Sequence, residues 1–282
     1  MQKLENCPAP AKLNLFLHVT GRRADGYHLL QTAFQLIDHC DYLDFAVRED
    51  GQIVRTNDIE GVPADSDLIV RAARLLQQQT ACPLGADLTL HKHLPMGGGL
   101  GGGSSDAATA LMALNHLWKT GLSRAELMKT GLQLGADVPF FLFGENAFAE
   151  GVGEELQPLD TPACWFVVLE PGVQVPTPAI FSAKGLTRNT KPVRIADFSS
   201  TKELDWKNDL QTVACALFPQ VGEAIQWLSG YGDAKMTGSG ACVFCAFADE
   251  ASADSVLKQV PDRWVSWKAK ALSRHPMALK LR

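Results

Sequence analysis

The stretch from Pro95 to Asp106, PMGGGLGGGSSD, limits the possible folds of this chain more than any other part of its sequence. It contains six of the 24 glycines and lies between an apolar stretch at 88–94, which predicts a strand, and a segment with helical periodicity. Glycine permits positive φ and lets a phosphate approach backbone N–H groups, while a helix N-terminus attracts anions. We therefore predict a strand, a phosphate-binding loop and a helix, in this order. The apolar stripe of that helix comprises Ala107, Leu111, Leu114 and Trp118, and Gly121 is expected to end it.

Two common phosphate-binding motifs do not fit this loop. A Walker loop, G-x-x-x-x-G-K-[ST], requires a lysine where this sequence has Ser104. The dinucleotide motif G-x-G-x-x-G is matched by Gly97, Gly99 and Gly102. However, the acidic residue nearest the required spacing, Glu126, falls in a predicted helix instead of at the end of a strand. The loop therefore disfavours both a P-loop NTPase and an NAD-dependent oxidoreductase.

Composition and charge exclude further classes of protein. Of the 282 residues, 46% are hydrophobic and 20% are charged, as in soluble globular proteins. The net charge of −5 lacks the basic surplus of a general nucleic-acid binder. No apolar run reaches the roughly 18 residues of a membrane helix, and the N-terminal region shows no signal-peptide pattern. We expect a cytoplasmic protein with neither a nucleic acid nor a membrane as its partner.

Cysteines and histidines predict neither disulfides nor a metal site. The seven cysteines are scattered along the chain and odd in number, which argues against a disulfide framework. Cys242 and Cys245 form a C-x-x-C pair, but the apolar residues around them indicate a buried strand. His91 and His93 share one face of a predicted strand without a third ligand. We therefore predict no metal bound directly by the protein.

Strands and helices mix without a regular βα repeat, which indicates an α+β fold. We place two domains at 1–160 and 161–282, because the prolines at 158 and 162 mark a connection. Predicted strands cover 11–19, 27–37, 41–47, 51–55, 88–94, 165–169 and 264–270, and two more flank the Gly-Ser-Gly turn at 238–240. Predicted helices cover 66–79, 209–217, 221–228 and 250–260, and the capping-box pattern at 123–126 opens another.

Lys12 and Asp137 have both functional and structural interpretations. Alternation at 11–19 puts Lys12 and Asn14 on one face of a strand whose other face meets a core. We take the lysine face to be exposed, where a lysine most often only increases solubility. Asp137 precedes an apolar segment that contains a proline, which is a common N-cap position. Partial desolvation there would alternatively make the carboxylate a general base.

Several segments, taken together, resemble the GHMP small-molecule kinases. Pro95–Ala108 fits the phosphate loop of that family without gaps, and Pro10–Leu15 and Lys235–Gly240 match in order. Thr20–His28 and Gly135–Phe141 resemble members that act on a cytidine-diphosphate sugar alcohol. The resemblance covers essentially the whole chain. It implies a two-domain architecture with an N-terminal ATP-binding domain, a C-terminal α/β sandwich-like domain and an active site in the cleft between them.

The same resemblance implies an activity. It is the ATP-dependent phosphorylation of a hydroxyl of the sugar alcohol, in the non-mevalonate route to isoprenoid precursors. ATP is the implied co-substrate, with Mg²⁺ bound mainly through the nucleotide, and the protein is expected to be a monomer or a weak homodimer. Two alternatives stay open. One is a GHMP kinase for homoserine, mevalonate or a sugar, and the other is a nucleotide-binding regulator without catalysis, against which the intact Lys12 and Asp137 argue.

The matched motifs also imply a role for each site residue. Lys12 and Asp137 are the implied catalytic pair, in which the carboxylate accepts the hydroxyl proton and the amine keeps it ionised. The implied ATP-binding residues are Leu68, Lys92, Pro95, Met96, Gly97, Gly98, Gly99, Leu100, Gly101, Gly102, Gly103, Ser104 and Ser105. We expect the two serines to cap the helix or to bind a phosphate. The implied substrate-binding residues are Asn14, Tyr27, His28, Thr177 and Phe181, with the rings of Tyr27 and Phe181 stacked on cytosine. Asp67 stands where the family pattern has an asparagine beside the adenine.

Overall fold

A long antiparallel hairpin organises the N-terminal half of the protein. The computed structural model describes residues 2–198 and 206–281. Strand β1 runs over Lys3–Arg22 and strand β2 over His28–Arg48, so that Lys12 lies opposite Leu36. The predicted strands at 27–37 and 41–47 are one strand, because a register shift between positions 37 and 40 only interrupts the ladder. The prediction for 11–19 began too late, since Pro8 and Pro10, which lack an N–H, obscured the first half of β1.

Most of the other predicted strands and helices are present in the structure as the predicted type of element. The other strands are β3 Ile53–Arg55, β4 Gly85–His91, β5 Ala147–Glu150, β6 Glu155–Pro158, β7 Trp165–Glu170, β8 Lys235–Met236, β9 Val243–Phe247 and β10 Val265–Leu272. The helices are α1 Leu68–Thr80, α2 Gly102–Leu117, α3 Arg124–Leu132, α4 Val138–Phe143, α5 Thr177–Ser182, α6 Ile195–Phe198, α7 Gln211–Leu217, α8 Pro219–Leu228, α9 Glu250–Leu257 and α10 Met277–Lys280. The α+β prediction is thereby confirmed.

Several predicted boundaries are wrong. Strand β4 ends at His91 instead of reaching position 94, because Asp41 binds the N–H groups of His93 and Leu94 outside the ladder. Helix α2 ends at Leu117, although its apolar stripe continues to Trp118, and Gly121 lies beyond it. The short elements β5, β6, α4, α5, α6 and α10 were not predicted, because so few residues carry no readable periodicity.

Strand β10 joins the two halves of the sheet. The strand order is β3-β4-β2-β10-β7-β9-β8, with β1 and β5 paired to β2 off this path. β10 pairs with β2 only through Ala271 and Leu272, and it pairs with β7 over Val265–Lys270. The C-terminal strand thus lies between the N-terminal hairpin and the strands that follow position 164.

Two large hydrophobic cores lie on either side of this junction. The first packs α1, α2 and α4 against β1, β2 and β4. The second packs α7, α8 and α9 against β7 and β9, and it also takes Leu17 and Val19 from β1. A smaller core under the glycine-rich segment joins Leu13, Leu100 and Phe166. The boundary at 160/161 stays a prediction. Over the described ranges 2–198 and 206–281, none of the helices is long and apolar enough to span a membrane.

Candidate active site

Two cavities meet at the glycine loop, which we define as residues 95–101. The large cavity, of about 710 Å³, lies between this loop, the β1–β2 hairpin and the C-terminal half. The small cavity, of about 380 Å³, lies between the loop and the start of α1. The large cavity brings together the predicted residues Lys12, Asn14, Tyr27, His28, Gly97, Gly99, Gly101, Asp137, Thr177 and Phe181. The small cavity is lined by the predicted residues Leu68, Lys92, Pro95, Met96, Gly97, Gly98, Gly99, Leu100, Gly101, Gly102, Gly103 and Ser104.

The glycine loop adopts a conformation that only glycine accepts readily. Gly97, Gly99 and Gly101 have φ of 72°, 76° and 73°, in the left-handed region that costs other residues about 1–2 kcal/mol. The Leu100 carbonyl accepts from the Lys12 N–H at 2.9 Å, and the Gly98 carbonyl accepts from the Cys242 N–H at 3.1 Å. The loop is therefore fixed between β1 and the start of β9, with its backbone facing both cavities.

Alanine substitutions in the glycine loop give a stability prediction with a matched control. In Gly97→Ala the added Cβ meets no atom within 4 Å, so only the positive φ is penalised. In Gly99→Ala the Cβ also overlaps the Thr237 carbonyl oxygen, which adds about 1–3 kcal/mol of overpacking. We expect Gly99→Ala to lower the free energy of unfolding clearly more than Gly97→Ala in urea titrations. Equal losses would contradict this packing.

The two serines after the loop do not cap α2. Its N-cap is Gly101, and no side chain bonds the exposed N–H groups there. Ser104 lines the small cavity, so its hydroxyl stays available to a ligand. Ser105 is fully buried inside the first turn and lines neither cavity. Ser105 is therefore not the cap of α2, and a contact of this residue with a phosphate stays a prediction.

Lys12 lies on a buried face of β1, which corrects the prediction of an exposed lysine. Only 4% of its side chain is exposed. Its Nζ lies 5.4 Å from the centroid of the Phe34 ring, and Gly101 of the glycine loop packs against its Cε. Its Nζ donates to Asn14 Oδ1 at 2.6 Å and lies 3.6 Å from Asp137 Oδ2. Burial lowers the pKa of Lys12, while the attraction of Asp137 opposes that effect. The pair is thus a cation and a carboxylate held together at the end of the large cavity next to the glycine loop.

Asp137 occupies an N-cap position without acting as a cap. It precedes α4, but its side chain makes no capping hydrogen bond. The carboxylate instead faces Lys12 and lines the large cavity, with 34% of the side chain exposed. The N-cap interpretation therefore explains the position of Asp137 in the chain but not the placement of its carboxylate.

Asn14 fixes the position of Lys12. Its Oδ1 accepts from Lys12 and from the Gly238 N–H at 3.0 Å, and its Nδ2 donates to Thr32 Oγ1 at 2.9 Å. Most of this buried amide is thus engaged within the protein. Asn14 connects the lysine to the Gly-Ser-Gly turn in the C-terminal half, and a direct contact with a substrate stays a prediction.

The other end of the large cavity carries aromatic side chains. Tyr27 is 65% exposed at the tip of the hairpin. The His28 ring lies 4.9 Å from the Phe181 ring, centroid to centroid, at an angle of 34°. Thr177, at the start of α5, exchanges a hydrogen bond of 2.7 Å with Ser239. The predicted substrate residues from both halves of the chain therefore line one space.

Charged networks surround the small cavity. Asp67 caps α1 through the Ile69 N–H at 3.0 Å, and it bonds Arg55 at 2.8 Å within the protein interior. Lys92 binds Asp41 and Asp106 at 2.5 and 2.9 Å. Burial opposes the charge of Lys92, but the two carboxylates outweigh it and raise its pKa.

The histidines and cysteines singled out from the sequence have separate surroundings. His91 bonds Asp44 at 2.8 Å, whereas His93 meets the ring of Tyr42 edge-on. Cys242 and Cys245 are buried free thiols, as the apolar run around them predicted. Burial raises the pKa of the Cys245 thiol to about 11, which disfavours the reactive thiolate.

Sequence reasoning assigned no role to the turn at 237–240, although its motif was recognised. Gly238, Ser239 and Gly240 line the large cavity. Asn208 Nδ2 donates to the carbonyls of Met236 and Gly238, both at 2.8 Å, and so fixes the turn. The signal that could have found it is a Gly-Ser-Gly turn between two apolar strands. Arg188, which donates a hydrogen bond to His28, carries no motif that could have indicated it.

Comparisons with known proteins settle the family. Residues 67–145 match the family model described as GHMP kinases N terminal domain, and residues 194–266 match the one described as GHMP kinases C terminal. The chain is 68% identical over 280 residues to the 4-diphosphocytidyl-2-C-methyl-D-erythritol kinase of Janthinobacterium sp. (strain Marseille), covering 98% of this chain and 97% of that protein. The chain belongs to the GHMP kinase family. This GHMP kinase is also 66% identical over 282 residues to the 4-diphosphocytidyl-2-C-methyl-D-erythritol kinase of Herminiimonas arsenicoxydans, covering 99% of this chain and 98% of that protein.

Solved structures of GHMP kinases share the fold of this one. A crystal structure of 4-(cytidine 5'-diphospho)-2C-methyl-D-erythritol kinase superposes with a TM-score of 0.77 at 32% identity, covering 96% of this chain and 99% of that chain. Homoserine kinase from Cytophaga hutchinsonii superposes with a TM-score of 0.72 at 13% identity, covering 98% and 96%, and this similarity shows the fold alone. The predicted two-domain GHMP kinase architecture is confirmed.

Proposed function

We propose that this GHMP kinase transfers the γ-phosphoryl group of ATP to the 2-hydroxyl of 4-diphosphocytidyl-2-C-methyl-D-erythritol, giving the 2-phosphate and ADP. The reaction belongs to the non-mevalonate route to isoprenoid precursors, in the cytoplasm. The observation that carries the proposal is the layout of the large cavity. The Lys12–Asp137 pair beside the glycine loop is at one end, and aromatic side chains suited to a nucleobase are at the other.

In the proposed reaction the acceptor hydroxyl lies against Asp137. The hydroxyl oxygen forms a bond to the γ-phosphorus as the bond from that phosphorus to the ADP oxygen breaks. The hydroxyl proton moves to Asp137, and Lys12 holds this carboxylate in place and stabilises its charge. The N–H groups of the glycine loop and of the start of α2 bind the phosphates, because they lack partners within the helix.

ATP is assigned to the small cavity and the glycine loop. Leu68, at the first turn of α1, offers an apolar contact, and Lys92 offers a cation between Asp41 and Asp106. Both carboxylate oxygens of Asp67 accept hydrogen bonds within the protein. Because a carboxylate has no donor, Asp67 could only accept a hydrogen bond from the adenine.

The residues at the loop fit a Mg²⁺ ion that is held mainly by the nucleotide phosphates. Mg²⁺ prefers oxygen ligands and keeps several waters. The Ser104 hydroxyl lines the small cavity at the start of α2, so it would be a protein oxygen available to the ion. When bound, the ion neutralises charge on the transferring group.

The proposal is tested by ADP release with four acceptors under identical conditions. We expect kcat/KM for the cytidine-diphosphate acceptor to exceed that for homoserine, mevalonate and galactose by about 10³ or more. The small acceptors lack a nucleobase to stack on the aromatic rings at the base end, and each stacked ring contributes about 1–3 kcal/mol. Comparable kcat/KM with one of the small acceptors would assign a different GHMP activity. ATP binding without ADP release for any acceptor would favour the regulator.

Removal of an aromatic ring at the base end gives a further prediction. Phe181→Ala and Tyr27→Ala are each expected to raise KM for the acceptor, because a stacked ring contributes about 1–3 kcal/mol. Phe247→Ala is the matched control, since that ring edges the same core as Phe181 but does not line the large cavity. Steady-state kinetics showing an unchanged acceptor KM in both test variants would remove the stacking role.

A further inference from the structure

The Arg188 side chain is engaged on all three of its nitrogens, next to His28 and Phe181, which line the large cavity. Its Nε donates to His28 Nε2 at 3.0 Å, and its Nη1 donates to the Leu186 carbonyl at 3.1 Å. Its Nη2 donates to the carbonyls of Phe181 and Ala183, both at 2.9 Å. This single side chain therefore ties the helix that carries Phe181 to the hairpin tip that carries His28.

The contact with Arg188 determines which nitrogen of His28 carries a proton. A guanidinium has donors and no acceptor, so His28 Nε2 must offer it a lone pair. A neutral imidazole with its lone pair on Nε2 carries its proton on Nδ1. Burial, together with the charges of Arg188 and Arg22, lowers the pKa of His28 and keeps the ring neutral near pH 7.

The Nδ1–H group of His28 is free to meet a ligand. It makes no hydrogen bond to any residue within 2–198 or 206–281, and the ring lines the large cavity beside Tyr27 and Phe181. The charged groups at this end of the cavity are Arg22 and Asp25 on the hairpin, with Arg188 behind the ring. An N–H donor among aromatic rings suits a nucleobase edge that presents an acceptor.

We infer that Arg188 is a positioning residue that makes His28 a hydrogen-bond donor, through Nδ1, to the acceptor edge of the substrate's nucleobase. O2 and N3 of cytosine are such acceptors. The inference rests on the proposed function for the identity of the base. Arg188 does not touch the base in this arrangement, and it acts by holding the tautomer of His28 and the backbone of Phe181.

The tautomer is measured directly by long-range ¹H–¹⁵N NMR on protein with labelled histidine, with the His28 signals assigned from a His28→Asn variant. We expect His28 of the unmodified protein to carry its proton on Nδ1. In Arg188→Ala, a population with the proton on Nε2 is expected, whereas Arg188→Lys, which keeps one donor, should retain more of the Nδ1–H form. An Nε2–H tautomer in the unmodified protein, or no change in Arg188→Ala, would overturn the inference.

Binding of cytidine 5′-diphosphate, measured by calorimetry across pH, separates positioning from a purely structural role. At pH 8 we expect Arg188→Ala to bind about tenfold more weakly than the unmodified protein, as for the loss of one hydrogen bond. Loss of the Arg188 charge lets His28 protonate nearer its ordinary pKa of about 6.5. Since a doubly protonated ring again carries Nδ1–H, the difference should shrink below that pH.

A difference in affinity that is the same at every pH would assign Arg188 a structural role only. In His28→Asn the side-chain amide supplies a donor near the position of Nδ1, so its affinity should not follow this pH pattern. Turnover by the unmodified protein separates the two proposals. If it phosphorylates the cytidine-diphosphate acceptor but Arg188→Ala leaves tautomer and affinity unchanged, the inference fails alone. If it binds the nucleotide with the expected pattern but phosphorylates no such acceptor, the proposed function fails alone.

Discussion

Replacement of Asp137 by asparagine is expected to lower turnover by about 10²–10⁴, the contribution of a general base. Asparagine preserves the shape of the side chain and removes the basic lone pairs that would accept the hydroxyl proton. ATP affinity should barely change, because the glycine loop that is assigned to the phosphates is a separate segment. The measurement is turnover of the purified, folded variant at saturating ATP and acceptor.

A second aspartate offers a matched control for this substitution. Asp249 is the N-cap of α9, where its side chain accepts from the Ser252 N–H at 2.8 Å, and it does not line the large cavity. Asparagine caps a helix about as well as aspartate, so Asp249→Asn should leave turnover and stability nearly unchanged. If Asp137→Asn kept activity within a few-fold of the unmodified protein, Asp137 would have no part in the mechanism.

Replacement of Lys12 by methionine is expected to lower turnover by about 10²–10³, as for the loss of one group that stabilises developing charge. Methionine fills the buried space without a charge, and Asp137 is exposed enough to be solvated alone, so the fold should persist. Lys235→Met is the matched control, since Lys235 pairs with Asp233 at 2.7 Å away from the large cavity.

The double variant Lys12→Met/Asp137→Asn tests whether the two groups act as one unit. Groups that act together are non-additive, so the double variant should be little slower than the slower single variant. Kinetics in which the two losses multiply would show that Lys12 and Asp137 act independently. Because none of the three variants changes a residue of the glycine loop, we expect the same ATP affinity for all three.

Parts of the site and of the fold could be predicted from the sequence where a motif and a local residue pattern agreed. The glycine loop was predicted as a strand-to-helix phosphate loop, and the structure forms it with three left-handed glycines at 97, 99 and 101. The capping box at Ser123 and Glu126 was equally readable, because both partners lie within one turn. Such features depend on residues that are close together in the sequence, so a local sequence pattern is enough to predict them.

Features that depend on distant parts of the chain could not be predicted. Lys12 is buried among Phe34, Gly101 and Asp137, and alternation along β1 gives no signal for these partners. The burial of Ser105 depends on how α2 packs. Arg188 carries no motif, and its contact with His28 forms only where the hairpin tip meets the segment after α5.

The transfer itself is the most direct test of the account. The unmodified protein is incubated with ATP, Mg²⁺ and 4-diphosphocytidyl-2-C-methyl-D-erythritol, and the products are followed by phosphorus NMR with Asp137→Asn as the matched blank. The account predicts a new phosphomonoester resonance that grows in step with ADP and couples to the carbon at position 2 of the methylerythritol. Release of inorganic phosphate instead of a phosphomonoester, or a product phosphorylated at another hydroxyl, would contradict it.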